Sequence, residues 1–169
     1  TTDHTITHML QASVPGHTFP FDRVYDQHVG ETRLIFEQMC EDVVAGAVRD
    51  GISGTVFAYG QTSAGKTFTM QGPVDNPGII PLGLQHFFDQ VQQERRDGRT
   101  VTVRMSYLEV YNEVVGDLLQ KDNQNLKIHE TVEKGVFVGN LSEPVVGTVQ
   151  EAVELVRKGE DVRKIGKTN

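Results

Sequence analysis

The sequence predicts an α/β fold organised around a strand, a phosphate-binding loop and the helix that follows it. Three observations lead there. The run Thr55-Val56-Phe57-Ala58-Tyr59 is apolar along its length and reads as a buried strand. Gly60 to Thr67 follows at once and fits G-x-x-x-x-G-K-S/T at every fixed position. Apolar residues recur at the helical period on both sides of this block, at 36, 39, 40, 43, 44 and 47 before it and at 80, 84, 87, 88 and 91 after it.

The spacing inside the loop has a chemical reason. A triphosphate must be held by several backbone N–H groups at once, so the loop has to curl with little side-chain bulk, and Gly60 and Gly65 permit the curl. Gln61, Thr62, Ser63 and Ala64 form the body of the cradle between them. Lys66 supplies a point charge to the β and γ phosphates, and the Thr67 hydroxyl, in the first turn of the next helix, is suited to ligate Mg²⁺. The positive end of that helix adds its own attraction for anions. An incidental Gly-Lys-Thr in a surface turn would not explain the strand in front of it.

Taken in order, residues 1 to 18 are polar, with a Pro15-Gly16 turn, and read as the edge of a domain. His4 and His8, four apart, could share a helix face, but two imidazoles without a third ligand do not make a metal site. Phe19 to Tyr25 alternates large apolar and polar residues, which suits a short strand that Pro20 places near a sheet edge. A helix is expected from Glu31 to about Val48, closed by Asp50-Gly51. The helix after Thr67 should break at Gln71-Gly72-Pro73 and across Pro77-Gly78, then resume near Ile79. Val101, Val103, Met105 and Tyr107 alternate with polar residues in a strand that continues to Tyr111. Residues 126–130 and 135–139 make two short strands about a turn at Glu133-Lys134-Gly135. After Gly147 a last helix begins, with Thr148 as cap, Glu151 completing a capping box, and Val149, Ala152, Val153 and Val156 on its apolar face.

Composition bounds the function. A chain of 169 residues is in the range of one domain, and 37% hydrophobic with 23% charged residues is a soluble globular balance. No stretch approaches the ~20 apolar residues of a membrane span, and the first residues lack a signal-peptide pattern, so a cytoplasmic location without membrane contact is expected. The single cysteine, Cys40, reads as a core thiol. Asn140-Leu141-Ser142 matches a glycosylation acceptor by chance. A net charge of −7 argues against nucleic acid, whose binders carry a basic face. Basic pairs at Arg95-Arg96, Arg157-Lys158 and Arg163-Lys164, and Lys167, are interleaved with acids and read as solvated helix faces.

Four stretches carry a resemblance. Phe19 to Tyr25, Phe57 to Met70, Gly78-Ile79-Ile80-Pro81, and Ser106-Tyr107-Leu108-Glu109-Val110-Tyr111-Asn112-Glu113 through Asp117-Leu118-Leu119 resemble the kinesin motor domain in content, order and spacing. Gly159-Glu160 to Thr168 is similar to the end of the helix before the family's switch I and hints at the centromere-associated kinesin branch. The resemblance implies a P-loop NTPase fold with a central, mostly parallel mixed sheet flanked by helices. It further implies an ATP-driven, microtubule-stimulated motor of the cytoskeleton that binds ATP or ADP with Mg²⁺. Carried over by position, Gln61 to Thr67 hold the phosphates, Thr67 binds the metal, and Phe68 takes the place of a ring that contacts adenine. The two short strands near residues 126–141 take the place of those that approach tubulin, which makes His129 and Lys134 candidates for that surface.

The departures from the family pattern shape the expectation as much. The first strand with its arginine-proline motif, switch I with Asn-x-x-Ser-Ser-Arg-Ser-His, and switch II with Asp-x-x-Gly are not in this sequence. Asp75-Asn76-Pro77-Gly78 matches the last in spelling only, and Val114 to Asp117 is an equally poor metal-binding strand. Residues 1–169 are therefore expected to be part of a motor domain, truncated at both ends, whose central strand would lack neighbours and which alone would bind nucleotide weakly and scarcely turn it over. Any dimerisation is expected through segments outside this chain. The competing reading is a non-hydrolysing nucleotide- or microtubule-binding module with a structural or regulatory role. A small GTPase would need a guanine-reading Asn-Lys-x-Asp, which is absent, and a small-molecule kinase would not explain the block from Ser106 to Leu119.

Overall fold

The computed structural model describes residues 5–11, 14–25 and 31–166. These form two compact units, one of the described residues up to Val44 with Gly54–Gly83, the other of Ala45–Ser53 with the described residues from Leu84 onward. None of the described helices is long and apolar enough to cross a membrane.

In the first unit β1 (Thr5–Gln11) and β2 (Val14–Pro20) pair antiparallel, with Ile6 opposite Phe19 and Thr7 opposite Thr18. His8 therefore lies in a strand and not on a helix, while His4 is outside the described residues. The strand expected over Phe19 to Tyr25 stops at Pro20, which has no N–H to extend a ladder. The residues after it are held by side chains instead: Arg23 Nη1 and Tyr25 Oη each donate to Gln38 Oε1 at 3.0 Å.

The helix expected from Glu31 is two helices, α1 (Thr32–Met39) and α2 (Glu41–Arg49), parted at Cys40. The break is slight, because Cys40 N–H still bonds Phe36 O at 2.8 Å and Val44 N–H bonds Cys40 O at 3.0 Å. Phe36, Cys40 and Leu82 are the buried core here, with Val44, Val56 and Ile79 packed on them. Burial pushes the Cys40 thiol up from its ordinary pKa, as befits a core residue.

The run 55–59 departs from expectation. It joins no ladder with any described residue, and Phe57 and Tyr59 are 79% and 94% exposed; only Val56 reaches the core. Apolar content creates the tendency to be covered, but a strand exists only through partners for its N–H and C=O groups, and none of the described strands lies beside this run. The chain then passes through α3 (Lys66–Met70), the loop 71–78 and α4 (Ile79–Arg96), the interrupted helix that the sequence predicts.

In the second unit every ladder is again antiparallel. β3 (Val103–Arg104) pairs with β9 (Val145–Val146), β4 (Leu108–Tyr111), β5 (Val114–Asp117) and β6 (Gln124–Leu126) form one three-stranded sheet, and β7 (Ile128–Thr131) pairs with β8 (Gly135–Val138). The long strand expected from 101 to 111 is thus broken after Arg104, and its end turns back as a hairpin. Asn112 and Glu113, at φ 47° and 64°, form the two-residue turn, the left-handed pair that suits the twist of tight hairpins. The hairpin of 126–139 is present with His129 opposite Phe137, and Gly135 at φ 66° closes its turn.

Helix α5 (Val149–Gly166) starts as predicted: Glu151 N–H bonds Thr148 Oγ1 at 3.2 Å. The Glu151 carboxylate reaches one residue beyond the cap, to Gly147 N–H at 2.7 Å. Ala152 is buried with Phe88 and Val146, and Leu84, Phe87, Val103, Met105, Val149 and Leu155 pack around them. Val153, expected on the buried face, is exposed, and Leu155 takes its share of the packing. Farther along, Glu160 accepts a hydrogen bond from Tyr107 Oη and pairs with Arg163 at 2.7 Å.

Candidate functional site

The loop from Gly60 to Thr67 is shaped by its own backbone. Gly65 precedes α3 at φ 86°, a conformation that a side chain would strain, and Ser63 adopts φ 66° although it is not glycine. A Cβ on Gly60 would come 3.1 Å from that of Ala64, a tight approach that the loop could take only by shifting a few tenths of an ångström. Ala64 N–H bonds Gln61 O at 3.2 Å and Thr69 N–H bonds Gly65 O at 2.9 Å, which close the turn and start the helix.

Lys66 folds back over this turn. Its Nζ donates to Gly60 O at 2.8 Å and to Gln61 O at 2.7 Å, so the ammonium is held above the loop backbone rather than extended into solvent. Gln61, Thr62, Ser63, Ala64, Gly65 and Thr67 are exposed, and the Phe68 ring is half exposed. The geometry fits an anion: a curled backbone, one cation and an accessible hydroxyl are brought together within nine residues, Gly60 to Phe68. The Thr67 hydroxyl stands exposed in the first turn of α3; among the described residues no group of three or more His, Cys, Asp or Glu side chains could hold a metal.

Loop 71–78 closes directly behind α3. Gly78 N–H bonds Gln71 O at 2.8 Å, and a Cβ at Gly78 would lie 2.5 Å from the carbonyl carbons of Met70 and Gln71. The two backbones touch, and only glycine allows it. Asp75 is exposed within this loop with no strand before it, in keeping with its reading as a match in spelling alone.

His129 and Lys134 lie in the second unit, on the β7–β8 hairpin. Both meet Phe137: the His129 ring stacks on it at 5.5 Å between centroids, and Lys134 Nζ sits 5.3 Å from its centre. Phe137 was not singled out in the sequence, yet the two-residue period of a hairpin that pairs 129 with 137 could have found it. Ile128, Val132 and Val136 are exposed along the same hairpin.

Asp117, dismissed above as a metal ligand, turns out to be fully buried with both oxygens engaged. Oδ1 accepts the N–H groups of Leu119 at 2.8 Å and Gln120 at 3.2 Å; Oδ2 accepts Asn123 Nδ2 at 3.1 Å and Ser142 N–H at 2.9 Å. Burial opposes its ionisation, but the hydrogen bonds from Ser142, Leu119 and Asn123 outweigh it and hold the carboxyl below the usual aspartate range.

Comparison with known proteins bears on both regions. The family model of the kinesin motor domain matches residues 2–169. Kinesin-like protein KIN-7O of Arabidopsis thaliana is 44% identical over 159 residues, an alignment covering 92% of this chain and 12% of that protein. Kinesin-like protein KIN-7L of Oryza sativa subsp. japonica is 44% identical over 158 residues, 94% of this chain and 24% of the relative. A solved structure described as "Structure of a fast kinesin: Implications for ATPase mechanism and interactions with microtubules" matches with a TM-score of 0.86 and 36% identity, over 98% of this chain and 47% of that one. The chain thus spans less than a quarter of the length of these two curated relatives and about half of the solved chain. The fold is that of the P-loop NTPases, in part.

Proposed function

The chain belongs to the kinesin motor-domain family, and from that premise we propose that it forms the ATP-binding part of a microtubule motor that couples ATP hydrolysis to movement along microtubules. The observation that carries this reading is the Lys66 ammonium held over the Gly60–Gln61 carbonyls in a loop that turns into α3 through the left-handed Gly65. A nucleotide phosphate would compete for that ammonium with two neutral carbonyls, and an ammonium bonded to an anionic oxygen gains a charge–charge attraction that a carbonyl does not offer. Backbone N–H groups of 61–67 other than the Ala64 N–H, which closes the turn, would hold the phosphates, Thr67 would hold Mg²⁺, and the half-exposed Phe68 ring would offer a face to adenine. The metal, when bound, neutralises phosphate charge.

None of the side chains from 60 to 68 is a carboxylate or imidazole that could orient an attacking water. Turnover is accordingly assigned to the intact motor and not to these residues alone. The β7–β8 hairpin, with His129 and Lys134 gathered on Phe137 and apolar side chains exposed beside them, is the surface proposed to meet tubulin.

The test is nucleotide titration and microtubule-stimulated ATPase on the intact motor. Lys66→Ala should lower ATP affinity about 10- to 100-fold, the loss of one or two charge-assisted bonds, and abolish stimulated turnover. Thr67→Ala should weaken ATP binding with Mg²⁺ and leave metal-free binding nearly unchanged. Wild-type values in both variants would remove the loop from the function.

A further inference from the structure

We infer that Asp117 is a positioning residue that sets the β7–β8 hairpin for docking on its partner, by clipping together the two ends of the chain segment that carries it. The inference rests on the docking role proposed above for that hairpin. The chain leaves β5 at Asp117, turns through 118–123, runs out along β6 and β7, and returns along β8 to Ser142. One carboxylate spans this circuit. Its Oδ1 holds the outgoing turn through Leu119 and Gln120, and its Oδ2 holds the returning end through Ser142 N–H, 25 positions away.

Asn123 doubles the clip. Its side-chain amide donates to Asp117 Oδ2 at 3.1 Å and to Asn140 O at 2.8 Å, so the residue before β6 is tied to the residue after β8. Asp117 N–H also bonds Asn123 O at 3.0 Å, and Ser142 Oγ lies 3.1 Å from Gln120 Oε1. Every hydrogen bond in this set joins the two roots of the hairpin or braces one of them.

Besides the β5–β6 ladder, which sets Leu126 against Val115 two residues before β7, the hairpin has little else to orient it. β7 and β8 pair with each other and with no other described strand, and their Ile128, Val132 and Val136 side chains are exposed, so no core of their own anchors them. The Phe137 cluster organises the hairpin internally but does not aim it. A buried, ionised acceptor satisfied by four N–H donors is a stiff pivot, since removing any one partner leaves a buried carboxylate lone pair without its donor. Asp117 therefore acts through the hairpin and touches neither nucleotide nor partner.

The experiment uses the intact motor with two variants. Asp117→Asn keeps the shape but sets an amide N–H₂ among N–H donors; Asn123→Ala is a milder cut that removes the bridge to Asn140. Hydrogen exchange should rise at least about tenfold across residues 124–142 in both, with α4 and α5 unchanged. The microtubule KM of the ATPase should rise about tenfold, while ATP affinity and turnover without microtubules stay at wild-type values. Unchanged exchange in the hairpin, or exchange rising equally throughout the second unit, overturns the inference. A third variant, His129→Ala with Lys134→Ala, separates the two levels. If it raises the microtubule KM and Asp117→Asn loosens the hairpin without doing so, the positioning role fails alone; if neither changes the KM, the docking reading fails and the positioning role falls with it.

Discussion

The phosphate loop and the Asp117 clip both hold a turn in one shape, and they do it over different distances along the chain. In the loop the restraints are local: Lys66 reaches carbonyls five and six residues back, and Gly65 allows the left-handed step that starts α3. At Asp117 the decisive bond reaches from 117 to 142. The local device keeps its form although the run before it, 55–59, joins no ladder with any described residue and leaves Tyr59 almost wholly exposed. The long-range device depends on two distant stretches arriving together, and the chain entropy lost in closing that circuit must be offset by the bonds made. A curled loop of this kind can thus be written into eight consecutive residues, whereas the two roots of the hairpin are joined by residues far apart along the chain.

Three substitutions bear on this contrast. The largest effect is expected at Gly78→Ala, which attacks the local side where backbone meets backbone. A Cβ there cannot be accommodated by a side-chain rotation, so loop 71–78 must open, at about 3 kcal/mol and a fall in melting temperature of roughly 6–12 °C in the intact motor. A melting temperature within a degree of wild type would mean that the loop behind α3 is not held by that contact.

Next in size is the acid response of the long-range side. Because the native Asp117 carboxyl is held below its ordinary value, its ionised form stabilises the fold fully above about pH 3.9, and that contribution is lost as pH falls through the lowered native value. Asp117→Asn has nothing to titrate. Its deficit, about 2 kcal/mol near neutrality, should shrink on acidification below pH ~4, and urea midpoints across that range would show the narrowing. A deficit independent of pH would indicate that shape rather than charge matters at 117.

The smallest effect belongs to a second local device, the start of α5. Thr148→Ala removes the cap on Glu151 N–H and should cost about 1 kcal/mol, seen as a modest drop in melting temperature with nucleotide affinity unchanged.

The same contrast of distances explains what was legible beforehand. The cradle of Gly60 to Thr67, the break between α3 and α4, the turn at Gly135 and the Thr148 cap were all readable, because each is a short pattern whose backbone geometry follows from the residues in it. The β4–β5 hairpin escaped notice although Asn112 opens a two-residue turn, since Leu108 to Tyr111 and Val114 to Asp117 look like one strand and its ragged end until they are seen side by side. Phe137 went unremarked for a similar reason: only the register that sets it against His129 makes it the centre of that group.

By itself, then, the amino-acid sequence determined the class of fold, the local shape of the glycine-bounded loop that carries Lys66 and Thr67, and membership of the motor family through motifs in a set order. Tertiary structure alone decided that Asp117 is a buried clip, that Lys134 and His129 converge on one ring, and that the run 55–59 joins no ladder with any described residue. Helical period, glycine and capping residues act within a few positions and so are visible in a line of letters. The partners of a carboxylate, a ring or a strand are chosen by how distant segments meet in space, and their spacing along the chain carries no record of that choice.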